Sequence, residues 1–250
     1  MINIVGAGSG AVDLITVRGA KLLERADVII YAGSLVNKEL LNYAKNDCKL
    51  YNSAKMTLEE VIKVMVDNKE KEIVRLHTGD PCLYGAIREQ MDILDEKGMA
   101  YEYVPGVSSF CGAAAALKTE YTLPDVTQTV IITRMEGRTP VPEAESMRLL
   151  ASHGSTMVIF LSTGLIPKLV EELIAGGKYT KDTKAALVYK ATWDDELVFR
   201  CTVGTLEKTA KDNNITKTAL ITVGDFLGSE YERSKLYDPT FTTEYREASK

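Results

Sequence analysis

Ile2-Asn3-Ile4-Val5-Gly6-Ala7-Gly8-Ser9-Gly10-Ala11 is the stretch that decides the fold, because a short, mainly apolar run leads there into a glycine-rich loop. The run has the length and the branched side chains of a buried strand. A helix is predicted to begin after Thr16, since threonine is a favoured N-cap residue. The order of strand, loop and helix then recurs along the chain, which is typical of an α/β fold.

Alternating strands and helices fill the first half of the sequence. Further strands are predicted at 28–31, 73–76 and 101–104. Thr57-Leu58-Glu59-Glu60 reads as a capping box at the beginning of one helix. Gly98 is predicted to end another helix, and an alanine-rich helix is predicted around 113–116. This pattern indicates a largely parallel sheet.

The polar, proline-containing stretch 118–125 interrupts the alternation and predicts a domain boundary. The domains are an N-terminal α/β domain (1–119), a hinge (120–126), a C-terminal α/β domain (127–228) and an irregular tail (229–250). Predicted strands of the second domain lie at 129–133, 157–161, 185–189, 197–201 and 219–223, and predicted helices at 143–151, 167–175 and 205–212. The short link between the strands near 186 and 199 predicts an antiparallel pair. The fold class is therefore two α/β domains with mixed, largely parallel sheets.

Composition excludes several classes of protein. The net charge of −5 argues against a nucleic-acid binder, and no stretch approaches the roughly 18 apolar residues of a membrane helix. The first residues lack a basic segment, so we expect no signal peptide. The cysteines stand far apart and the chain has only two histidines, which predicts no metal site and four reduced cysteines in a cytoplasmic protein.

The glycine-rich loop Gly6-Ala7-Gly8-Ser9-Gly10-Ala11 formally matches the dinucleotide-binding pattern. That fold also needs an acidic residue at the end of the second strand. The nearby acid, Asp27, stands at the beginning of that strand, and the strand's end has Tyr31-Ala32-Gly33 instead. Three interpretations remain: a dinucleotide site, a tight turn that needs glycine, or a site that brings another nucleotide-like ligand close to bare backbone.

Two further loops follow predicted strands. Thr78-Gly79-Asp80-Pro81 and Pro105-Gly106-Val107-Ser108-Ser109 both lie where an open α/β sheet binds its ligands. Asp80 is able to accept hydrogen bonds from a ribose hydroxyl or an amino group, and Ser108 or Ser109 is able to bind a carboxylate at a helix N-terminus. The alternatives are a type I turn at Asp80 and a simple N-cap at Ser108.

Taken together, these motifs resemble the S-adenosylmethionine-dependent tetrapyrrole methylases over nearly the whole chain. The matching motifs are V-G-x-G-x-G-x-x-D-L-I-T, T-G-D-P-x-x-Y-G and V-P-G-V-S-S. Four other segments resemble the branch that methylates C11 of precorrin-4 or cobalt-precorrin-4 in cobalamin biosynthesis: Tyr31–Val36, Glu120–Pro124, Thr133–Pro140 and Ser234–Asp238. The chain departs from the family at Ser9, where a proline is usual, and at Thr243 and Glu244, where histidine and glycine are frequent.

The resemblance implies two α/β domains with a trough between them, a homodimer, and S-adenosylmethionine bound in the trough. The cofactor contacts that it implies are Ser9, Thr78, Gly79, Asp80, Leu83, Ser108, Ser109, Leu161 and Ala191. Methyl transfer from a sulfonium needs no metal and no nucleophile from the enzyme. The product must lose a proton, and the candidate bases are His77, Asp47 and Glu136.

A tetrapyrrole acceptor carries several carboxylates, which arginine binds well. The candidates for binding it are Arg134 and Arg138, then Lys118 and Arg88, with Tyr31 and Tyr84 packing on the macrocycle. Each charge has the alternative of being a solvated surface group, and each tyrosine that of being a core aromatic. Other acceptors also stay open, namely another corrin carbon, a uroporphyrinogen or the modified histidine of an elongation factor. So does a non-catalytic module that binds S-adenosylmethionine or a tetrapyrrole.

Overall fold

A computed structural model describes residues 1–249, apart from the side chain of Ser34. The chain forms two compact units. Unit 1 consists of Met1–Ala113 together with Lys190–Glu196, and unit 2 of Ala114–Tyr189 and the described residues from Leu197 onward. The segment Lys190–Glu196 is marked by no change in composition, and the domain bounds drawn from the sequence leave it in the second domain. Lys250, the last residue of the predicted tail, lies outside the described residues.

Unit 1 is built on a parallel sheet with the strand order β3-β2-β4-β1-β5. Its strands are β1 (Ile2–Gly6), β2 (Val28–Tyr31), β3 (Lys49–Asn52), β4 (Ile73–His77) and β5 (Tyr101–Val104). The register of β1 on β4 runs from Ile2 opposite Ile73 to Gly6 opposite His77. Because every pairing in this sheet is parallel, the carboxyl ends of all its strands lie at one edge.

Four helices accompany this sheet, and the first two begin where the sequence predicts, after Thr16 and Thr57. They are α1 (Val17–Arg25), α2 (Leu58–Asp67), α3 (Arg88–Glu96) and α4 (Ser109–Leu117), of which the last begins in unit 1 and ends in unit 2. The Thr16 hydroxyl accepts a hydrogen bond from the Gly19 N–H at 3.0 Å. The capping box is confirmed, since Thr57 and Glu60 bond each other's backbone N–H at 2.8 and 3.3 Å.

Both faces of the parallel sheet are buried. Along β4, Val74 and Leu76 join one apolar cluster, which includes Leu22 and Leu23 of α1. Ile73 joins the other cluster, with residues of α2 and α3. Successive side chains of a strand point to opposite faces, so this alternation gives the two-layer core that parallel sheets require.

Strand β3 has no counterpart among the predicted strands. It is an edge strand that pairs only with β2. Lys49 and Leu50 are exposed, whereas Tyr51 and Asn52 are half-buried. An edge strand of four residues with two polar members has no apolar run, so its existence depends on the neighbouring strand and not on its own sequence.

Unit 2 contains a mixed sheet with the order β6-β7-β10-β8-β9. Its strands are β6 (Val130–Arg134), β7 (Thr156–Phe160), β8 (Lys184–Tyr189), β9 (Leu197–Thr202) and β10 (Ala219–Val223). Only β6 and β7 are parallel, and the predicted antiparallel pairing of β8 with β9 is confirmed. Over both sheets parallel pairings outnumber antiparallel ones, as expected for a mixed, largely parallel fold.

The helices of unit 2 are α5 (Met147–Ala151), α6 (Ile166–Ala175) and α7 (Leu206–Asp212). The predicted helix 143–151 is wrong in one respect, because a 3-10 turn over Glu143–Glu145 precedes α5 and Ser146 separates the two. Beyond Gly228 the described tail holds one short 3-10 turn, Lys235–Tyr237, and the side chain of Tyr245 is 92% exposed. No helix in the described part of the chain has the length and apolar character needed to cross a membrane.

Candidate functional site

Three loops meet backbone to backbone at the carboxyl edge of the sheet in unit 1. The Gly8 N–H donates to the Gly79 carbonyl at 3.2 Å, and the Gly79 N–H donates to the Gly8 carbonyl at 2.8 Å. A Cβ on Gly6 would lie 2.6 Å from both the Gly106 Cα and the Gly79 oxygen, and one on Gly106 only 2.2 Å from that oxygen. Glycine is therefore required where the loops touch, at Gly6 and Gly106.

Asp80 fastens these loops to one another. One carboxylate oxygen accepts from the Cys82 N–H and the Tyr103 hydroxyl, and the other accepts from the Gly106 N–H, each at 2.8 Å. Burial alone would raise the pKa of this carboxyl, but the hydrogen bonds from Cys82, Gly106 and Tyr103 outweigh it and lower the pKa. Asp80 is thus an ionised carboxylate that accepts three hydrogen bonds from the protein itself.

Two buried polar atoms beside Gly79 have no hydrogen-bond partner among the described residues. They are the Thr78 hydroxyl oxygen and the Nε2 atom of His77. Buried polar atoms are nearly always paired in folded proteins. A hydroxyl and an imidazole nitrogen that are left unpaired next to Gly79 fit a polar ligand that binds at these loops.

His77 lies fully inside unit 1, at the end of β4. Its burial, with a smaller contribution from the charge of Arg75, lowers the pKa of His77 to about 3. Burial also lowers the pKa of the Arg75 guanidinium to about 10. That guanidinium donates to the side chain of Gln90 and to the Ile30 carbonyl, both at 3.1 Å. His77 is therefore a neutral imidazole near pH 7.

The segment Lys190–Glu196, which we call the clasp segment, bonds to the glycine-rich loop within unit 1. The hydroxyls of Ser9 and Thr192 lie 2.9 Å apart, and the Thr192 hydroxyl accepts from the Ala11 N–H at 3.1 Å. The indole N–H of Trp193 donates to the Ser9 carbonyl at 3.1 Å. Sequence reasoning missed Thr192 and Trp193, although the single tryptophan of the chain was an available signal.

The predicted cofactor contacts fall into two groups. Those that the structure gathers in unit 1 are Ser9, Thr78, Gly79, Asp80, Leu83, Ser108, Ser109 and Ala191. Leu161 belongs to unit 2, where it follows β7 with a φ of +52° and a 68% exposed side chain. Ser9, Ser108 and Ala191 are buried, and the Leu83 N–H donates to the Asp80 carbonyl at 3.3 Å.

Arg134 uses its guanidinium on its own loop. It donates to the carbonyls of Met135, Thr139 and Pro140 at 3.2, 3.0 and 2.9 Å. This arrangement fixes the turn that follows β6 and leaves the Arg138 side chain exposed within it. Of the two arginines, Arg138 is the one whose charge is presented to solvent.

The other predicted tetrapyrrole contacts are dispersed. Lys118 is exposed at the end of α4, and Arg88 pairs with Asp92 at 2.7 Å with a side chain 83% exposed. Tyr31 is half-buried at the end of β2, against the apolar cluster of α1. Tyr84 is exposed in the loop after β4, with a φ of +55°.

The candidate bases are not brought together. Asp47 precedes β3 and His77 ends β4, so in a parallel sheet they lie at opposite edges. Asp47 is therefore not at the loops that meet around Gly79. Glu136 is exposed in unit 2, in the turn that Arg134 fixes.

Comparison with known proteins identifies the family of this chain. The sequence model described as Tetrapyrrole (Corrin/Porphyrin) Methylases matches residues 1–207. The chain belongs to this family. Membership removes the dinucleotide interpretation of the glycine-rich loop. In agreement, the Asp27 carboxylate at the beginning of β2 is occupied by Lys45, at 2.6 Å, and by the Glu72 N–H, at 2.9 Å.

Three similar proteins refine the placement of this tetrapyrrole methylase. A cobalt-precorrin-4 C(11)-methyltransferase of Methanocaldococcus jannaschii is 56% identical over 252 residues, covering 100% of this chain and 97% of that protein. One of the same name from Priestia megaterium is 48% identical and covers 100% and 98%. The solved X-ray structure of a cobalamin biosynthetic enzyme, cobalt precorrin-4 methyltransferase, superposes with a TM-score of 0.89 at 48% identity, covering 91% and 96%.

A methyl group at Gly106 tests the backbone contact. Gly106→Ala should lower the free energy of unfolding by about 1–3 kcal/mol, because the new Cβ has backbone atoms in its place and overpacking costs about that much. Chemical denaturation measures the change. Gly164→Ala is the matched control, since a Cβ there meets nothing within 4 Å. Equal effects of the two substitutions would contradict the contact.

The neutral state of His77 predicts a pH dependence. In the unfolded chain this residue binds a proton below about pH 6.5. In the folded chain it does so only below about pH 3. The free energy of unfolding should therefore fall on acidification, by up to about 1.4 kcal/mol per pH unit from this group. His77→Gln should remove about 2 kcal/mol of the loss between pH 7 and pH 5.

Denaturation curves at both pH values measure that difference. His153→Gln, at the exposed histidine, is the control and should retain the wild-type slope. Identical slopes for the wild type and His77→Gln would show that His77 is accessible to protons in the folded state.

Proposed function

We propose that this tetrapyrrole methylase transfers the methyl group of S-adenosylmethionine to C11 of cobalt-precorrin-4, giving cobalt-precorrin-5 in cobalamin biosynthesis. The observation that carries the proposal is the full-length match to relatives of that name, at 56% and 48% identity. The loops at the sheet edge support it, because the Thr78 hydroxyl and His77 Nε2 have no hydrogen-bond partner among the described residues and fit a polar ligand. The metal-free acceptor precorrin-4 is the alternative within the same branch.

The residues present fit S-adenosylmethionine. We assign the cofactor to the predicted contacts that lie in unit 1, and Leu161, in unit 2, stays a prediction. The Thr78 hydroxyl and His77 Nε2 supply polar atoms that have no partner among the described residues. Bound S-adenosylmethionine brings an activated methyl group on a sulfonium. The chain's own residues therefore have to hold two reactants in line and keep water away.

Asp80 acts in this proposal by holding the loops in place. Its carboxylate bonds to Cys82, Tyr103 and Gly106 set the positions of the loop after β4 and the loop before α4. His77 acts as a hydrogen-bonding group toward the ligand. A group with a pKa of about 3 is poorly matched to removing a proton near neutral pH, so His77 is not assigned as the base.

The acceptor's carboxylates are assigned to Arg138 of unit 2, and Lys118 and Arg88 stay predictions. Arg134 shapes the turn that presents Arg138, through its three bonds to backbone carbonyls. Tyr84, exposed after β4, stays a prediction as a contact of the macrocycle, whereas Tyr31 packs against the core. An exposed guanidinium is free to donate two hydrogen bonds to one carboxylate.

We also propose that the protein is a cytoplasmic homodimer. The family resemblance supports the dimer, and the four free thiols suit a reducing compartment. Light scattering of the purified chain measures the oligomeric state directly.

Labelled S-adenosylmethionine tests the reaction. The protein is incubated separately with cobalt-precorrin-4, precorrin-4 and uroporphyrinogen III, and binding of S-adenosylhomocysteine is measured by calorimetry. We expect label at C11 of cobalt-precorrin-4. Label in uroporphyrinogen III or at another carbon would reassign the acceptor. Binding of S-adenosylhomocysteine without transfer to any of the three pigments would overturn the assigned acceptor and leave the cofactor assignment standing.

Replacing Arg138 tests the acceptor site. Arg138→Ala should raise the KM for the pigment by about 10- to 150-fold, since a charge-assisted hydrogen bond contributes about 1.5–3 kcal/mol. The Kd for S-adenosylhomocysteine should stay unchanged. Arg148→Ala is the matched control, because Arg148 is another exposed arginine of unit 2 and bonds Glu172. A change in cofactor Kd with an unchanged pigment KM would contradict the assignment.

A further inference from the structure

Thr192 adopts a backbone conformation that threonine normally avoids. Its φ is +72°, and that of Lys190, in the same turn, is +46°. The left-handed region is unfavourable for side chains branched at Cβ, and such outliers persist only where the surroundings hold them. Glycine or asparagine would fit the turn with less strain. A threonine at this position must therefore be stabilised by contacts of its side chain.

The Thr192 hydroxyl supplies that reason. It accepts from the Ala11 N–H at 3.1 Å and lies 2.9 Å from the Ser9 hydroxyl. Neither glycine nor asparagine places a hydroxyl at that point. The Thr192 N–H is itself held by the Glu196 carboxylate at 2.6 Å, so the hydroxyl is presented from a turn that is closed by its own bonds.

Trp193 holds the next residue of the same loop. A Cβ on Gly10 would lie 2.1 Å from the indole Cδ1, so the ring lies directly against the Gly10 backbone. The indole N–H bonds the Ser9 carbonyl at 3.1 Å, and the Asn37 side chain bonds the Gly10 carbonyl at 3.0 Å. Ser9 and Gly10 are thereby fixed at three backbone or side-chain atoms.

The two ends of the glycine-rich loop are thus held by different partners. Gly8 is bonded to Gly79, whereas Ser9 and Ala11 are bonded to the clasp segment. A proline at position 9 would fix φ by its ring, and Ser9 is instead fixed through its hydroxyl and its carbonyl. The loop's backbone groups are in this way oriented before a ligand arrives, which lowers the entropy lost on binding.

We propose that Thr192 is a positioning residue for cofactor binding, which acts by fixing Ser9 and Ala11 of the glycine-rich loop, with Trp193 supporting it. The proposal rests on the proposed function, because it assigns the loop to S-adenosylmethionine. The strained turn is retained for the placement of one hydroxyl. Thr192 contacts the loop, and its effect on the ligand is transmitted through Ser9 and Ala11.

Four variants separate positioning from stability. Thr192→Val keeps the shape and the branched Cβ and removes the hydroxyl, whereas Thr192→Ser retains the hydroxyl. Thr192→Gly removes both the hydroxyl and the strain. Ser9→Ala removes the partner hydroxyl and leaves the Ala11 bond. The readouts are the Kd for S-adenosylhomocysteine, hydrogen exchange at the Ala11 amide and the midpoint of thermal unfolding.

We expect Thr192→Val to raise the Kd for S-adenosylhomocysteine about tenfold, because two neutral hydrogen bonds are lost. Hydrogen exchange at the Ala11 amide should become faster. The Kd of Thr192→Ser for S-adenosylhomocysteine should stay within about twofold of the wild-type value. Thr192→Gly should bind as weakly as Thr192→Val with an unfolding midpoint no lower than the wild type, a split that a merely structural role would not produce. The Ser9→Ala and Thr192→Val effects should be less than additive in the double variant, because they share one bond.

Two failures are distinguishable. If the wild type does not bind S-adenosylhomocysteine, the proposed function is overturned and the positioning role with it. If the wild type binds and Thr192→Val binds within twofold of it, only the positioning role is overturned. Should Thr192→Val unfold, Ser9→Ala and Thr192→Gly decide the matter, since wild-type affinity in both overturns the proposal.

Discussion

The contact of Gly6, Gly79 and Gly106 is the constraint on which the rest of the site depends. Three loops from three parallel strands approach until backbone atoms touch, with no room for a Cβ on Gly6 or Gly106. Such an approach has no side chains to stabilise it, so other groups must do so. Asp80 supplies charge-assisted bonds to the Gly106 N–H on one side, and the clasp segment supplies bonds to Ser9 and Ala11 on the other.

Two charged residues of the motifs form hydrogen bonds to groups of the protein itself. Asp80 and Arg134 are the residue types that a ligand with hydroxyls or carboxylates would attract, and the sequence alone suggests direct contact for both. In the structure Asp80 accepts mainly from its own loops, and Arg134 donates to three carbonyls of its own turn. The groups left available beside them are the smaller Thr78 hydroxyl and the exposed Arg138.

Much of this architecture could be predicted because it is encoded locally. Apolar runs, the capping box of Thr57 and the glycine loops each mark their own positions, and parallel pairing then brings the loops to one edge. Strand β3 escaped prediction because its pairing with β2, not its own pattern, makes it a strand. The bond between Ser9 and Thr192 joins residues 183 positions apart, and no spacing rule relates such positions. The uncharged state of His77 likewise arises from packing, which composition does not reveal.

The clasp segment has a consequence for how the chain matures on the ribosome. The strands of the parallel sheet and the loops after β1 and β4 are complete by Val104, so the sheet is able to form while the second half is still being made. Thr192 and Trp193 emerge much later, and only then is the glycine-rich loop fastened at Ser9 and Ala11. A nascent or truncated chain that ends before Lys190 thus carries the sheet with a loose loop. In the proposed positioning role, the loop therefore reaches its full affinity only near the end of synthesis, after the fold of the first half.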